Sequence, residues 1–307
     1  MKRIAVIGAG SFGKNHVRVV SESERADLVF TVDSDPSRGD TTDYRDVIGK
    51  VDAAIVAVPT TAHCEIGCAL LEAGIDVLVE KPIAPTLAEA DRLVEAAERN
   101  GRILQVGHLE RFNPAVIALE KAATLPLFFE IHRMSMFTLR SLDVDVVLDL
   151  MIHDLDIVLA LANTELKEIR AAGISILSPK VDIANVRLEF ENGCIANLTA
   201  SRVSTEKVRK LRLFQPGQYI SLDYAAQSAA VFTVGGAEGI TLGQMAIAKA
   251  EPLKLQFDAF LDAIETRQTP KLNGRIARKT LEIAIAVLAK IEEHAGRVAK
   301  TLAGWKP

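Results

Sequence analysis

The feature that most constrains the fold is a glycine-rich turn between an apolar strand and a helix. Ile4–Ile7 has the composition of a buried strand and runs directly into Gly8-Ala9-Gly10-Ser11-Phe12-Gly13, which a helical segment follows. The first glycine permits a tight turn, the second lets the backbone approach a pyrophosphate, and the third lets the helix pack on the strand. The amino end of the helix then faces the phosphate charge. We predict a dinucleotide-binding unit whose cofactor contacts include Gly8, Gly10, Ser11, Phe12 and Gly13; the alternative is a glycine-rich turn without a ligand.

An acidic residue ends the next strand at the spacing typical of NAD-binding proteins. The strand Leu28–Val32 stops at Asp33, twenty residues after Gly13, where a carboxylate can accept hydrogen bonds from the adenosine ribose diol. The adjacent Ser34 is expected to line the same region. Because a 2'-phosphate would be repelled by Asp33, the sequence favours NAD, although Arg38 leaves NADP open.

The third apolar strand and the helix after it predict further cofactor contacts. The strand Ala53–Val58 leads into Pro59 and Thr60, which are placed to cover the cofactor. His63 lies in the first turn of the helix that follows. It either contacts the cofactor or serves as a packing or capping group at the start of the helix.

A lysine follows the fourth apolar strand directly. Val77–Val79 reads as a buried parallel strand that ends at Glu80, Lys81 and Pro82. Ligands bind at the carboxyl edge of such sheets, and a lysine there costs desolvation energy unless something anionic or reacting needs it. We therefore predict that Lys81 and Glu80 contact the cofactor and that Lys81 also contacts the substrate. Two solvated charges at the start of a loop are the alternative.

A polar loop leaves the last strand of this predicted sheet, Arg102–Val106. It runs from Gly107 to Pro114, and the side chains of Glu110, Arg111 and Asn113 suit a sugar or a phosphate. The alternative is a hinge whose charges face water.

The character of the chain changes after residue 120, which predicts a second domain over residues 121–307 after a Rossmann domain over 1–120. Successive strands without intervening helices imply an open, mainly antiparallel sheet. One face is expected to carry helices and the other to bury itself against a second subunit, as a homodimer or homotetramer. The last helix is expected to return toward the first domain. The predicted strands are 128–137, 168–176, 181–190, 194–203, 207–214 and 219–224.

The second half also contains a candidate acid–base pair. Asp149 and His153 are four residues apart in an apolar run, which on a helix places them on one face. A buried imidazole held by a carboxylate is a general acid–base arrangement. A structural ion pair in a core helix would give the same pattern.

Composition excludes several classes of protein. The chain has 307 residues and a net charge of -4 without a basic stripe, so nucleic acid is not an expected partner. No apolar stretch approaches the ~20 residues that span a bilayer, and no signal peptide or metal site is expected. The three cysteines, Cys64, Cys68 and Cys194, fit core packing in a reducing cytoplasm, although Cys64 and Cys68 also have a spacing compatible with a metal pair.

These residues resemble the glucose-fructose oxidoreductase, inositol dehydrogenase and MocA-like (Gfo/Idh/MocA) family of NAD(P)-dependent oxidoreductases. The likeness covers nearly the whole chain and rests on GAGSFG, VPTTAHCEIGCALLEAGIDVLVEKP, DLMIHDLD and EPLKLQFDAFLDAIETRQTP. It implies hydride transfer with Lys81, Asp149 and His153 as the catalytic set, all three also contacting substrate, and with Gly8, Gly10, Gly13 and Asp33 on the cofactor.

Two segments, VGHLERFNPAV and RSLDVDVVLDLMIHDLD, are similar to those of the UDP-N-acetylglucosamine 3-dehydrogenases. That likeness implies oxidation of the sugar 3-hydroxyl before an aminotransferase acts, on the route to 3-amino lipid A sugars. Arg111 and Asn113, with Glu110 and Arg140, would bind the nucleotide sugar. An inositol-type or free-sugar dehydrogenase, and a catalytically silent NAD-binding regulator, stay open as alternatives.

The chain departs from the family pattern at two places. Asp145 stands where the family usually has glycine, four residues before the catalytic aspartate. The connection after the second strand is shortened to Ser34–Val51, with room for a helix of only one or two turns around Tyr44–Ile48. This shortening leaves open how the adenine side of the pocket is built.

Overall fold

The computed structural model describes residues 1–138, 144–235 and 239–303, and contacts within the chain divide it into two compact units. The first unit comprises Met1–Phe112 and Ala250–Leu281, and the second comprises Asn113–Lys249 and the chain from Glu282 onward. The segment 250–281, which the sequence placed with the second domain, thus packs within the first unit.

The first unit is built on a parallel sheet of five strands. Its strands are β1 (Lys2–Ile7), β2 (Ala26–Val32), β3 (Ala53–Val56), β4 (Asp76–Glu80) and β5 (Leu104–Gly107). Their order in the sheet is β2-β1-β3-β4-β5, and every neighbouring pair is parallel. The order reverses direction between β1 and β3, so their carboxyl ends form the crevice in which such sheets bind ligands. The predicted Rossmann-type fold is confirmed.

Three helices follow the strands of this sheet. They are α1 (Gly13–Ser21), α2 (His63–Glu72) and α3 (Leu87–Arg99). The Thr86 hydroxyl accepts a 3.2 Å hydrogen bond from the Glu89 amide and donates a 2.7 Å bond to the Glu89 carboxylate. Thr86 therefore caps the first turn of α3.

The later helix α6 (Pro252–Thr266) belongs to the first unit through its apolar face. Phe257 and Phe260 are buried and share a core with residues of β1 and β4. Burying an aromatic side chain of this size contributes about 1.5–3 kcal/mol. An ion pair between Arg25 and Asp262, 2.7 Å apart, adds a contact on the exposed side. The apolar burial therefore dominates, because exposed ion pairs contribute little.

The second unit is built on a mixed, mainly antiparallel sheet of eight strands. They are β6 (Phe128–Met134), β7 (Leu166–Ile174), β8 (Ile183–Phe190), β9 (Ile195–Ser201), β10 (Val208–Gln215), β11 (Gln218–Asp223), β12 (Ser228–Val234) and β13 (Ile240–Gln244). Their order is β13-β12-β11-β10-β6-β9-β8-β7. Among these pairs only β6 with β9 is parallel. The predicted mainly antiparallel sheet is confirmed.

Helices cover one face of this sheet. They are α4 (Pro114–Ala122), α5 (Ile152–Ala162) and the second part of α7 (Gly274–Ala303). Their buried residues, among them Leu119, Leu155 and Val287, share one core with Leu188 and Leu198 of the sheet. Within residues 1–138, 144–235 and 239–303, no helix combines the length and the apolar character that crossing a bilayer requires.

Candidate active site

The glycine turn after β1 has the geometry that a bound phosphate requires. Gly8 has a φ of +91°, and a Cβ added there would lie 2.5 Å from the carbonyl oxygen of Ala57. A Cβ on Gly13 would lie 1.7 Å from the carbonyl oxygen of Gly8, so both positions need glycine. Gly10 differs, because a Cβ added there would meet no atom within 4 Å. The middle of the turn therefore borders open space that a pyrophosphate can approach.

The start of α1 is also suited to an anion. The residue before the helix, Phe12, provides no side-chain cap, and the first turn contains no acidic residue. The first amide groups of a helix have no partner within the helix and carry a partial positive charge. The amides of Lys14 and Asn15 donate to the carbonyl oxygens of Gly10 and Phe12. The amides that precede them in the glycine turn are therefore the ones suited to a phosphate.

The backbone fixes the carboxylate of Asp33 at the end of β2. Its Oδ2 accepts a 2.8 Å hydrogen bond from the amide of Ala9, and its Oδ1 accepts a 2.9 Å bond from the amide of Asp35. Each carboxylate oxygen keeps a second lone pair. Asp33 can therefore accept bonds from a ribose diol while it holds the glycine turn in place.

One cavity of about 470 Å³ is lined by the glycine turn and by the end of β2. It brings together five of the predicted cofactor residues, Gly8, Gly10, Asp33, Ser34 and Pro59. The remaining lining residues are Ile7, Val32, Arg38, Thr42, Tyr44, Ala57, Val58, Ala62 and Ile66. An open glycine turn, an anchored carboxylate and an apolar wall fit the pyrophosphate, ribose and adenine of a dinucleotide.

The shortened connection after β2 supplies part of this wall. It contains a 3-10 turn, Tyr44–Val47, whose first residue lines the cavity. The guanidinium of Arg45 lies 4.9 Å from the centroid of the Tyr44 ring. The sequence indicated a short helix here but not its contact with the pocket, because nothing in the local pattern shows which way the tyrosine points.

His63 connects two of the predicted cofactor segments. Its side chain is buried, with Nδ1 3.0 Å from the carbonyl oxygen of Pro82 and Nε2 3.0 Å from that of Val58. Burial lowers the pKa of His63, although the two carbonyl contacts favour the protonated ring. The structure thus shows the packing role that the sequence left open, and a contact between His63 and the cofactor stays a prediction.

Lys81 follows β4 at the carboxyl edge of the sheet, as the sequence predicts. The strand ends at Glu80, the Lys81–Pro82 peptide bond is cis, and the lysine is half-buried. Oε1 of Glu80 lies 2.8 Å from Nε2 of His16. Oε2 of Glu80 accepts a 3.3 Å hydrogen bond from the backbone amide of Lys81. The sequence did not identify His16, because 64 residues separate it from Glu80.

The polar loop after β5 is buried rather than solvated. Leu109–Phe112 forms a 3-10 turn in which Glu110 is 8% and Arg111 is 7% exposed. The alternative of charges that face water therefore does not hold. Their predicted role in substrate binding stays a prediction.

Asn113 has a structural role in the second unit. Its Oδ1 accepts a 3.0 Å bond from the amide of Ala115 and caps α4, while its Nδ2 donates a 3.0 Å bond to the carbonyl oxygen of Tyr224. Only 3% of the residue is exposed. Its contact with substrate stays a prediction, and Arg140 lies outside the described residues.

The candidate acid–base residues lie on a distorted helix of the second unit. Asp149 belongs to a π-helical turn, Val147–Met151, and His153 lies in the first turn of α5. The sequence predicts a regular helix that carries both residues, whereas the structure has a wider, π-helical turn at Asp149. Both side chains are half-buried rather than fully buried. Single π turns are rare and are frequently found at functional sites, which supports a functional role for this segment.

A buried ion pair fixes the helix next to His153. The guanidinium of Arg133 on β6 donates two hydrogen bonds, of 2.7 and 2.8 Å, to Asp154. The Tyr224 hydroxyl donates a 3.2 Å bond to the same carboxylate, and the Arg133 guanidinium lies 4.9 Å from the Tyr224 ring. Such a bidentate pair sets the rotation of α5 against the sheet. No sequence pattern links these three residues.

The three cysteines lie in the interior of the chain. Cys64, Cys68 and Cys194 are buried free thiols, and burial raises the pKa of Cys68 to about 12 and that of Cys194 to about 11. Both values favour the protonated thiol at neutral pH.

Comparison with known proteins gives matches to both halves of the chain. A model described as an oxidoreductase family with an NAD-binding Rossmann fold matches residues 2–108, and a GFO/IDH/MocA C-terminal domain model matches residues 126–215.

Individual relatives extend this result. The UDP-N-acetylglucosamine 3-dehydrogenase of Acidithiobacillus ferrooxidans is 31% identical over 304 residues, which cover 94% of this chain and 97% of that enzyme. A solved structure of an enzyme of that name and organism superposes with a TM-score of 0.91 over 95% of this chain and 98% of that one, at 30% identity. The inositol 2-dehydrogenase of Acidothermus cellulolyticus is 36% identical over 55% of this chain and 56% of its own.

Proposed function

The chain belongs to the Gfo/Idh/MocA family of NAD-binding oxidoreductases, and we propose that it oxidises the 3-hydroxyl of UDP-N-acetylglucosamine to a ketone with NAD as the acceptor. The observation that carries this proposal is the similarity to the Acidithiobacillus enzyme, which covers 97% of that enzyme. An inositol 2-dehydrogenase also matches through both units, with 27% identity over 85% of this chain. The higher identity to the Acidithiobacillus enzyme, over 94% of this chain, supports a nucleotide sugar over a free polyol.

Three residues have distinct proposed roles in the reaction. His153 accepts the hydroxyl proton as the general base, and Asp149 orients the imidazole and stabilises the imidazolium that forms. The Lys81 ammonium donates a hydrogen bond to the same oxygen and stabilises the negative charge that develops there. When bound, the nicotinamide supplies the hydride acceptor. The carbinol carbon thus loses a hydride and its oxygen a proton, which leaves a ketone.

The first unit holds the residues proposed to bind the cofactor. The glycine turn would bind the pyrophosphate, Asp33 the adenosine ribose, and Tyr44 the adenine. Asp33 supports NAD over NADP, because its charge opposes a 2'-phosphate and its position is fixed by the amides of Ala9 and Asp35. The remaining proposed contacts are Ser11, Phe12, Ser34, Pro59, Thr60, His63, Glu80 and Lys81.

A nucleotide sugar brings a diphosphate, which needs local cations on a chain whose net charge is -4. We assign this contact to Arg111 and Arg140, with Glu110 and Asn113 toward the sugar. Guanidinium groups suit the recognition because they bind phosphate oxygens in pairs.

The direct test is turnover of a matched substrate panel. Purified protein would be incubated with NAD or NADP and with UDP-N-acetylglucosamine, UDP-glucose, free N-acetylglucosamine or myo-inositol. Absorbance of the reduced cofactor would be followed, with hydroxylamine present to trap a ketone as its oxime. We expect NADH only with UDP-linked N-acetylglucosamine, and a trapped product whose fragmentation places the oxime at carbon 3.

The same panel separates the alternatives. Turnover of myo-inositol or of the free sugar, with UDP-sugars refused, would support the polyol dehydrogenase instead. NAD binding without turnover of any alcohol would indicate a silent regulator.

We further propose that a second copy of the chain covers the open face of the second sheet. Four neighbouring strands each contribute one aromatic residue to a row on this face, and the register pairs each with the next: Phe128, Phe214, Tyr219 and Phe232. The ring centroids of successive members of the row lie 4.7–5.9 Å apart. Phe214 is 37% exposed. A row of aromatic side chains on an antiparallel sheet is self-complementary, as a two-fold interface requires.

Light scattering coupled to size-exclusion chromatography tests this assembly. Phe214→Glu is expected to reduce the mass to that of a monomer. Val29→Glu is the matched control, because Val29 is similarly exposed, at 38%, but lies on the first unit. A monomeric wild-type protein would contradict the proposal.

The keto sugar is reactive, so we expect a second enzyme to use it as a substrate. We propose an aminotransferase, which would convert the 3-ketone to an amine, in the cytoplasm. Buried free thiols support this reducing compartment.

A further inference from the structure

We propose that His16 is a positioning residue for Lys81, acting through the buried carboxylate of Glu80. The inference rests on the proposed dehydrogenase function and adds to it a residue that belongs to neither the glycine turn nor the catalytic set. Its basis is a polar contact between α1 and the end of β4, in a region where the neighbouring strand residues are apolar.

The first step is the burial of the pair. His16 is 1% exposed and Glu80 is 9% exposed, and Nε2 of the imidazole lies 2.8 Å from Oε1 of the carboxylate. The three residues before Glu80 on β4 are fully buried apolar residues, Val77, Leu78 and Val79. Placing a carboxylate and an imidazole in such surroundings costs stability that an apolar pair of the same size would not. The position therefore needs a reason other than packing.

The second step is the room that the fold reserves for the carboxylate. A Cβ added to Gly107 would lie 2.6 Å from Oε1 and 2.8 Å from Oε2 of Glu80. Gly107 ends β5, the strand paired with β4, and faces Glu80 in the register. A side chain at position 107 would displace the carboxylate from His16. Three elements, α1, β4 and β5, thus determine one position for this group.

The third step is the connection from the pair to the lysine. The second carboxylate oxygen, Oε2, lies 3.3 Å from the amide nitrogen of Lys81. On the other side, the ring of Phe12 lies edge-on to His16, with centroids 5.4 Å apart. The chain of contacts therefore runs from the glycine turn through His16 and Glu80 to the residue that presents the ammonium. Backbone anchored in this way presents its side chain from a fixed position, which limits reorganisation before the reaction.

Two substitutions at position 16 separate this role from simple packing. His16→Gln keeps an amide donor near the position of Nε2, whereas His16→Leu keeps the volume and removes the donor. Glu80→Gln removes the charge but keeps an acceptor. Val20→Ala is the matched control, because Val20 is a fully buried residue of the same helix with an apolar side chain. Chemical denaturation would establish that each variant is folded.

The first readout does not depend on turnover. Acetic anhydride labelling followed by peptide mass spectrometry measures the reactivity of the Lys81 amine, with exposed lysines of the same sample as the internal reference. We expect His16→Leu and Glu80→Gln to change the Lys81 rate at least ~3-fold, because the backbone that carries the amine loses its anchor. His16→Gln and Val20→Ala should keep the wild-type rate. NADH affinity, measured by fluorescence, should change less than ~3-fold in His16→Leu.

The second readout is the kinetic split with the proposed substrate. His16→Leu is expected to lower kcat at least ~10-fold with KM nearly unchanged, since positioning acts on the transition state rather than on binding. His16→Gln should recover most of that loss. A uniform effect of His16→Leu, His16→Gln and Val20→Ala would overturn the proposal and indicate packing alone. If the wild type turns over no alcohol, the proposed function fails, and the labelling result still decides the role of His16.

Discussion

The carboxylate of Asp145 accepts a 2.9 Å hydrogen bond from the backbone amide of Val181, and this contact anchors the segment that leads into the π-helical turn. The amide of Val146 donates a 3.0 Å bond to the Val181 carbonyl, and the amides of Leu148 and Asp149 donate 3.0 Å bonds to the Asp145 carbonyl. Asp145 therefore anchors the turn that carries the candidate catalytic aspartate.

Removal of this carboxylate is expected to loosen the anchor. Asp145→Ala should lower the free energy of unfolding by about 1 kcal/mol, the usual net value of such a hydrogen bond. It should also lower kcat, because Asp149 loses its support. Asp145→Asn is the control, since its amide oxygen can still accept the bond. Urea denaturation measures the stability, and equal midpoints for the alanine and asparagine variants would exclude the anchor.

The sequence predicts features that depend on neighbours along the chain. The glycine turn and Asp33 are local patterns, and both have the geometry that the sequence predicts. The position of Lys81 directly after β4 was predictable because an apolar run that ends in charged residues indicates the end of a buried strand.

Features that depend on contacts between residues far apart in the sequence could not be predicted from local patterns. The amphipathic pattern of α6 shows that one face is buried but not which unit buries it. The strands β12 and β13 were not predicted. β13 is exposed along its whole length, so no contact with a core selects that strand. The pair of His16 and Glu80 joins residues 64 positions apart, and no periodicity encodes that contact.

Lys81 gives the most direct test of the proposed chemistry. Lys81→Ala should lose at least ~100-fold in kcat, because the variant lacks the charge that stabilises the alkoxide, worth a few kcal/mol. NAD affinity by calorimetry should stay close to the wild-type value. Lys290→Ala is the control, since that lysine forms an exposed ion pair with Glu293 and should leave kcat unchanged. An unaltered rate in Lys81→Ala would remove the lysine from the mechanism.

Asp33 tests the preference for NAD. Asp33→Ala should weaken NAD binding at least ~10-fold, because hydrogen bonds from the ribose to a charged acceptor are lost. NADP binding should improve at the same time, since the repulsion of a 2'-phosphate is removed. Arg38 lines the same cavity, and its Nε lies 3.1 Å from Oδ2 of Asp35. Calorimetry with both cofactors measures the change, and a wild type that prefers NADP and loses it in Arg38→Ala would reverse the assignment.

A buried carboxylate beside the Asp145 anchor makes the stability of the second unit depend on pH. Asp182 has no exposed surface, and its oxygens accept hydrogen bonds of 2.6–3.0 Å from the Ser178 hydroxyl and from the amides of Ile176, Leu177 and Ser178. Burial alone would raise the pKa of Asp182, but these bonds outweigh it and lower the pKa from 3.8 to about 2. The ionised form is therefore favoured in the folded chain.

Because folding lowers this pKa, the carboxylate stabilises the folded chain above pH ~4, and the stabilisation is lost as the pH falls toward about 2. The shift corresponds to about 2 kcal/mol at neutral pH. Asp182→Asn should therefore lower the urea midpoint clearly at pH 7, and the difference from the wild type should shrink between pH 4 and pH 3. Asp91→Asn, which alters an exposed ion pair with Arg278, should cause a smaller loss. If the difference in urea midpoint between Asp182→Asn and the wild type stays constant from pH 7 to pH 3, the charge of Asp182 is not its cause.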